Sequence, residues 1–449
     1  MGLHNIEKKS FSYNLLKAWL RFWHNRVYYK NYIVFGENKI PIDKPIIFTI
    51  NHQNALMDAL ALLFTTNKTV VFVARADIFK NPNIAAVLYF LKILPIYRVR
   101  DGFDNVKKSK KIIGKTTDII TSGASIGILP EGNHSRFRRL RPLKKGFARI
   151  AFQTLELNDF NMDLQVVPVG VDYDSFSKYR SSLIVNFGEA IPVIEFNKIY
   201  KESKPIGINK LKETLRKNME PTILNIKSVD NYDFYNEIRK LYRHNMAKKL
   251  GVSASNVGNR LLLDQETVKR IEEYELLDPS KVNKVKKLTE AYMDLRDELD
   301  FTNSEINNNR FCWPGLIISL ISLLATLPAF IYGFINNFIP YYLPIWVSTI
   351  FEDEQFKSSA KFVVSAILFP LFYLLQTTLI LLSTSSFVAL IYLLSLPVSA
   401  IICWRWAKFF SYTYNGLRYL FKSLSGDKSL IELKELHNQI IVSTNQMIG

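Results

Sequence analysis

Between about residues 36 and 194, short apolar runs rich in β-branched residues alternate with segments whose apolar residues recur every three or four positions. The runs at 46–50, 69–74, 93–98, 125–129, 165–170 and 183–187 predict strands, and the segments at 55–64, 106–121 and 145–157 predict helices between them. Strands that alternate with helices pair in parallel, and they place polar side chains just past their carboxyl ends. The expected fold is therefore α/β, a mostly parallel sheet flanked by helices. From 204 to 310 the pattern turns helical and heavily charged. There Val282, Val285, Leu288, Tyr292, Leu295 and Leu299 form one apolar stripe, which predicts a helical connector packed on the α/β domain or on a second copy of the chain.

The last third is different in kind. Residues 313–335, 362–382 and 387–404 carry no charge, and runs of this length cross about 30 Å of hydrocarbon as helices. A core helix of a large soluble protein is the plainer alternative, but uncharged length on this scale is the main signal of membrane spans. Orientation is harder to read. Glu352, Asp353 and Glu354 separate the first two runs, whereas basic residues crowd before Trp313 and after Trp404. Basic flanks face the cytoplasm, yet three simple crossings put these two flanks on opposite sides. The expectation is that one run does not cross as a simple helix: the last two form a re-entrant hairpin, or Pro328, Pro340, Pro344, Pro370 and Pro397 break helices.

Near the N-terminus, residues 11–32 interleave Leu15, Leu16, Trp19, Leu20, Phe22 and Trp23 with Lys17, Arg21 and Arg26. This predicts an amphipathic helix at a membrane interface, with packing on its own domain as the alternative. The expected organisation is thus an interface helix (1–35), an α/β domain (36–203), a helical connector (204–310), a transmembrane region of two to three segments (311–410) and a basic amphipathic tail (411–449).

Composition narrows the partners. With 449 residues, 48% of them hydrophobic, the chain has ample material for a core, and disorder is excluded. A net charge of +18 favours nucleic acid, anionic headgroups or phosphorylated small molecules. The apolar runs turn that choice toward lipid, so no nucleic acid is expected, although a membrane-tethered binder of anionic lipid or nucleic acid remains the non-enzymatic alternative. Only Cys312 and Cys403 are present, which indicates neither a disulfide framework nor a cysteine metal site, and no metal is expected. The N-terminus lacks an apolar core followed by a small-residue cleavage site. An integral membrane protein with its α/β domain on the cytoplasmic face is the resulting expectation.

Candidate chemistry lies at two strand ends. Asn51-His-Gln-Asn-Ala-Leu-Met-Asp58 joins the first predicted strand to the first predicted helix. An imidazole takes a proton from an alcohol near neutral pH, and a carboxylate on its second nitrogen fixes the tautomer, so His52 and Asp58 are a candidate general base and its orienting acid. A helix-start Asn51 cap with an incidental His and Asp is the plainer reading. Leu129-Pro-Glu-Gly-Asn-His-Ser-Arg136 follows a later strand and opens a stretch to Arg149 with seven Lys or Arg and no acid. Arginine forks such as that of Arg136 suit a phosphate monoester, and Glu131 can accept from a substrate hydroxyl. A generic basic patch is the bland alternative. Gly123-Ala-Ser-Ile-Gly127 fits a nucleophile elbow, which would imply a covalent intermediate on Ser125, but that Ser follows a helix and opens a strand, the reverse of what an elbow needs.

Asn51-His-x5-Asp58, the Arg98 segment, Pro130-Glu-Gly132 and Val167-Pro-Val-Gly170 resemble, in order and spacing, the four blocks of the glycerolipid acyltransferase superfamily. The resemblance covers about 36–194. It implies that His52 deprotonates the acceptor hydroxyl, Asp58 orients it, Arg98, Glu131, Gly132 and Arg136 bind the acceptor's phosphate and glycerol, and Pro168 shapes the floor. It further implies a direct transfer with no cofactor, an acyl-CoA or acyl carrier protein thioester as co-substrate, membrane lipids as surroundings, and glycerol-3-phosphate or 1-acylglycerol-3-phosphate as acceptor; a lysophospholipid-remodelling activity is the alternative. Oligomerisation is left open. Five residues rather than four separate His52 from Asp58, and Asn133-His134 replaces the usual Thr-Arg, features similar to the fungal glycerol-3-phosphate/dihydroxyacetone-phosphate acyltransferase branch.

Overall fold

The computed structural model describes residues 6–8, 10–96, 104–306 and 311–448, without the side chains of 104–111. Its contacts divide the chain into two units, Met1–Lys227 with Phe351–Phe362, and Ser228–Ile350 with Val363–Gly449.

The first unit is built on one sheet. Strands β1 (Tyr29–Phe35), β2 (Ile46–Ile50), β3 (Val70–Arg75), β4 (Ile93–Ile96), β5 (Ser125–Ile128), β6 (Gln165–Tyr173) and β7 (Ser181–Phe187) lie in the order β1-β7-β6-β2-β5-β3-β4, and the short β8 (Ile191–Pro192) pairs with β6. The run β6-β2-β5-β3-β4 is parallel throughout, whereas β7 and β8 are antiparallel to β6. All five residues of β2 are buried, as expected of a central strand covered on both faces. Interleaved with the strands are α1 (Phe11–Phe22), α2 (Leu56–Thr65), α3 (Pro82–Phe90), α4 (Asp104–Thr121), α5 (Gly146–Leu157), α6 (Asn197–Glu202) and α7 (Lys204–Met219). Ile47, Val71, Ile126 and Val166 from four strands meet Ile119 of α4, Phe147 and Phe152 of α5, and Leu211 and Leu215 of α7 in one apolar core.

Two expectations are corrected here. The N-terminal segment is helical only to Phe22; a π-helical turn (Trp23–Tyr28) follows, and from Tyr29 the chain is an edge strand paired in parallel with β7. The physical reason is burial: the Tyr28 and Tyr29 side chains are sunk in the unit, and the β-prone Tyr-Ile-Val-Phe stretch completes a sheet that local periodicity does not reveal. Phe11, Leu15 and Phe22 nevertheless remain exposed along α1. The domain boundary expected near 204 falls at 227/228, because the apolar face of α7 belongs to the first core. The predicted strand at 93–98 is observed over Ile93–Ile96, its end lying outside the described residues, and α3 had no counterpart among the predicted elements.

The second unit is helical: α8 (Tyr232–Lys249), α9 (Arg260–Glu275), α10 (Pro279–Glu298), α11 (Asn303–Ile306), α12 (Trp313–Thr349), the body of α13 (Glu354–Ser383), α14 (Ser386–Leu424) and α15 (Lys428–Ile448). Within the second unit the stripe of α10 packs against α15, whose Leu430, Leu433 and Ile440 are buried. The C-terminal tail is therefore a partner within the unit. Three helices, α12, α13 and α14, are long and apolar enough to cross a membrane. Even the 30-residue α13 spans about 45 Å at 1.5 Å per residue. Each apolar run lies inside an unbroken helix, and the prolines sit within helices rather than ending them, so the expected broken or re-entrant segment is not observed. Hydrogen bonds join these helices: Asn337 donates to Ser399 Oγ at 3.0 Å, and Tyr373 donates to Asn337 Oδ1 at 2.6 Å. Gly333 lets α12 and α14 approach, since a Cβ there would lie 2.6 Å from the Ser399 carbonyl oxygen.

Candidate active site

Three neighbouring parallel strands deliver the candidate residues to one edge of the sheet. His52 follows β2, Glu131 follows β5 on one side of it, and Tyr173 ends β6 on the other. This edge, at the carboxyl ends of the strands, is where an α/β sheet presents its chemistry.

The turn from β2 into α2 is held by its own polar atoms. Asn51 donates from Nδ2 to the Val171 carbonyl and accepts the Val171 N–H at 2.7 Å, tying the turn to β6. Asp58, fully buried in the first turn of α2, accepts the backbone N–H of Gln53 at 2.8 Å and of Asn54 at 2.7 Å on Oδ2. The same oxygen lies 2.9 Å from His52 Nδ1. An ionised carboxylate only accepts, so Nδ1 carries the proton and Nε2 keeps its lone pair. Ala55 closes the turn at φ 46° and ψ −121°, a conformation that costs an L-residue energy and is retained because the surrounding bonds over-determine it.

Asp58 Oδ1 accepts from Tyr173 OH at 2.8 Å. Burial first, then the adjacent Asp58 charge, hold the Tyr173 phenol well above its usual range, so it stays a donor. The His52 side chain is 16% exposed, enough for Nε2 to meet a substrate.

Glu131 faces inward. Its Oε1 accepts the His52 backbone N–H at 2.8 Å, and its Oε2 accepts Arg141 Nε at 2.9 Å. Burial pushes its carboxyl up, against the lowering effect of the His52 N–H and of Arg141. The carboxylate thus braces the two loops rather than standing open to a hydroxyl. Ser135 N–H donates to the His52 carbonyl at 3.1 Å, a second tie between them. Gly132, at φ 76°, makes the left-handed turn that returns its N–H to the Leu129 carbonyl.

The basic stretch is sorted by the fold. Arg138 is buried on Asp172 and the Tyr173 carbonyl, and Arg141 is held by Glu131. Arg136 stacks over Phe176 at 5.7 Å and pairs with Glu354. Two guanidinium groups keep open donors: Arg136 Nε and Arg141 Nη2 are shielded from solvent and have no partner among the described residues. The His134 ring stands edge-on to His52 with centroids 5.3 Å apart, and its Nε2 lies 2.7 Å from Asp353 Oδ2. Burial would raise the Asp353 carboxyl, but the hydrogen bond from His134 and that from the Gln355 N–H outweigh it and hold it below the usual range.

The structure therefore brings His52, Asp58, Glu131, Gly132 and Arg136 together. Pro168 is buried within β6, opposite Thr49 of β2 and against Gly188. Arg98 lies outside the described residues. Ser125 opens β5, at the end of the strand away from Glu131, and its fully buried Oγ has no partner, so the covalent route through it is excluded by placement. Among the described residues there is no cluster of His, Cys, Asp and Glu able to hold a metal ion. Sequence reasoning missed Tyr173, Arg141 as partner of Glu131, and the pair Asp353 and Glu354. Tyr173 carried one usable signal, its position three residues past the Val-Pro-Val-Gly block.

Known proteins with similar sequences cover part of the chain. The sequence model of the family described as Acyltransferase matches residues 31–172. That region carries the similarity to the acyltransferase family. Over 151 residues the chain is 30% identical to the chloroplastic 1-acyl-sn-glycerol-3-phosphate acyltransferase BAT2 of Brassica napus, covering 33% of this chain and 40% of that protein. It is 24% identical to the 1-acyl-sn-glycerol-3-phosphate acyltransferase of Borreliella burgdorferi, covering 42% and 71% respectively. To the glycerol-3-phosphate O-acyltransferase 2 of Saccharomyces cerevisiae it is 23% identical, covering 50% and 30%. The chain thus spans less than half the length of the Brassica and yeast relatives. A crystal structure of the 1-acyl-sn-glycerophosphate acyltransferase PlsC from Thermotoga maritima aligns with 46% of this chain and 78% of its own at 16% identity, with a TM-score of 0.33.

Proposed function

We propose that this protein is a membrane-bound O-acyltransferase that moves a fatty acyl group from a thioester donor, acyl-CoA or acyl carrier protein, to a hydroxyl of glycerol-3-phosphate or 1-acylglycerol-3-phosphate. The observation that carries the reading is the bond from the partly exposed His52 ring to the fully buried Asp58. The relatives' names supply the two acceptors, and the three long apolar helices supply the membrane. The domain is assigned to the cytoplasmic face on the basic residues that precede Trp313 alone, since those after Trp404 follow a third apolar helix.

In this mechanism His52 Nε2 takes the proton of the acceptor hydroxyl as its oxygen attacks the thioester carbonyl. Asp58 stabilises the imidazolium that forms. The carbon–sulfur bond breaks as the ester forms, and the departing thiolate receives the proton from His52. Arg136 Nε and Arg141 Nη2 bind the acceptor's phosphate, while Glu131 keeps Arg141 and the His52 backbone in register. Arg98 is assigned to the same anion on its position in the sequence. No metal or redox cofactor is needed for this chemistry.

The test is acyl transfer by purified protein given labelled acyl-CoA and acyl carrier protein donors and a panel of glycerol-phosphate and lysophospholipid acceptors. His52→Ala should lower turnover about 10²- to 10⁴-fold, the usual contribution of a general base, in a protein that still unfolds cooperatively. Absence of transfer to every acceptor, or a fully active His52→Ala protein, would refute the assignment.

A further inference from the structure

The segment Phe351–Phe362 folds into the first unit although it follows α12 in the chain. Its anchors are specific. Ser358 is buried against Tyr28 OH and Asn54 Nδ2, the latter from the His52 turn, and Phe356 packs edge-on to the His134 ring at 5.0 Å. These contacts bring two consecutive carboxylates to the crevice, Asp353 on His134 and Glu354 on Arg136. Both acids are about half exposed, so the pairs are exchangeable with a solute. In contrast, Asp172 and Glu131, which hold the neighbouring Arg138 and Arg141, are buried. The cluster therefore has a permanent part and a removable part, and the removable part supplies two negative charges to an imidazole and a guanidinium.

We propose that Asp353 and Glu354 are specificity-determining residues that occupy the acceptor's anion site, and that a dianionic phosphate monoester displaces them on binding. This rests on the acyltransferase reading above and deepens it, because it names the charge an acceptor must carry. A ligand that replaces both carboxylates stands where two negative charges stood, beside the His134 imidazole and the Arg136 guanidinium. A phosphate monoester carries about −1.5 to −2 at neutral pH, whereas a phosphodiester carries one charge. The Nε donor of Arg136, which the segment leaves unpartnered, gives the incoming phosphate a hydrogen bond that Glu354 does not take. Acceptors without a phosphate monoester do not make this exchange, and the site disfavours them.

Hydrogen exchange of the full-length protein in detergent micelles tests this without any variant. Glycerol-3-phosphate and inorganic phosphate should each increase exchange at residues 351–356, and dimethyl phosphate, with a single charge, should leave it unchanged. Asp353→Asn with Glu354→Gln should lower the dissociation constants for glycerol-3-phosphate and inorganic phosphate by roughly five- to twentyfold, the worth of one to two exposed ion pairs. Exchange at 351–356 that ignores saturating phosphate, or that responds equally to dimethyl phosphate, overturns the proposal. Release of the segment by phosphate in a protein that transfers no acyl group keeps this inference and ends the acyltransferase reading instead.

Discussion

His52 and Asp58 lie six positions apart, with the acid fully buried. His134 and Asp353 lie 219 positions apart, with side chains 19% and 44% exposed. Both are an imidazole on a carboxylate at nearly the same hydrogen-bond length, yet the surroundings give them opposite characters. Asp58 is committed on both oxygens, to two backbone N–H groups, an imidazole and a phenol, so it can do nothing but orient His52. Asp353 has one side-chain partner and a share of solvent, so its bond is one that a charged solute can replace. The lesson is that burial and the count of donors, not the residue types, separate a fixed catalytic pair from an adjustable one.

The comparison breaks most sharply at Asp58. Asp58→Asn leaves at least one of four buried donors facing an amide N–H, and should cost about 3 kcal/mol of stability. It should also slow acyl transfer about 10³-fold or more by spoiling the His52 tautomer; denaturant unfolding and turnover measure the two effects. Asp353→Asn should lower the acceptor KM with little change in maximal turnover, and a loss of turnover comparable to that of Asp58→Asn would erase the distinction. A smaller effect is expected of Tyr173→Phe, which leaves Asp58 Oδ1 unpaired: about 1–2 kcal/mol and roughly tenfold in turnover, with acceptor KM unmoved.

The smallest expected effect is in the pH dependence of stability. Glu131 titrates above its unfolded value, so the folded protein holds that proton to higher pH than the unfolded chain. Stability from this group therefore falls as pH rises from the ordinary carboxylate range through the raised folded value. Glu131→Gln should flatten that fall. Asp353 titrates below its unfolded value, and its contribution is present above the ordinary carboxylate range and lost as pH drops through the lowered folded value. Asp353→Asn should flatten the acid limb instead, with slopes of opposite sign in the two variants read from unfolding midpoints across pH 3 to 7, the range about these carboxylates. Slopes of the same sign would contradict the contrast between the two acids.

Much of the sheet was legible before any coordinates. The runs that became β2, β5 and the start of β6, and the segments that became α2, α4 and α5, announce themselves by local period, because each buries a face whose spacing is set by its own geometry. His52 and Asp58 were legible for the same reason, being neighbours along the chain at a strand-to-helix junction. The three apolar helices were legible by composition alone. The edge strand β1 was not, since an amphipathic stretch of Trp, Tyr and basic residues fits an interface helix until β7 offers it a ladder. Nor was the role of Glu131, whose oxygens turned inward to His52 and Arg141 rather than outward.

What the sequence determined by itself is what neighbouring residues decide together: the periods of strand and helix, the turn that carries the base, and the uncharged lengths that seek hydrocarbon. Tertiary structure alone decided which of seven cations would be spent on internal carboxylates, that Tyr173 would complete Asp58, and that two acids beyond α12 would return to the crevice. The reason is physical. A contact between groups hundreds of residues apart leaves no periodic trace in the sequence; it exists only because the rest of the chain, in packing its core, has already brought the two ends together.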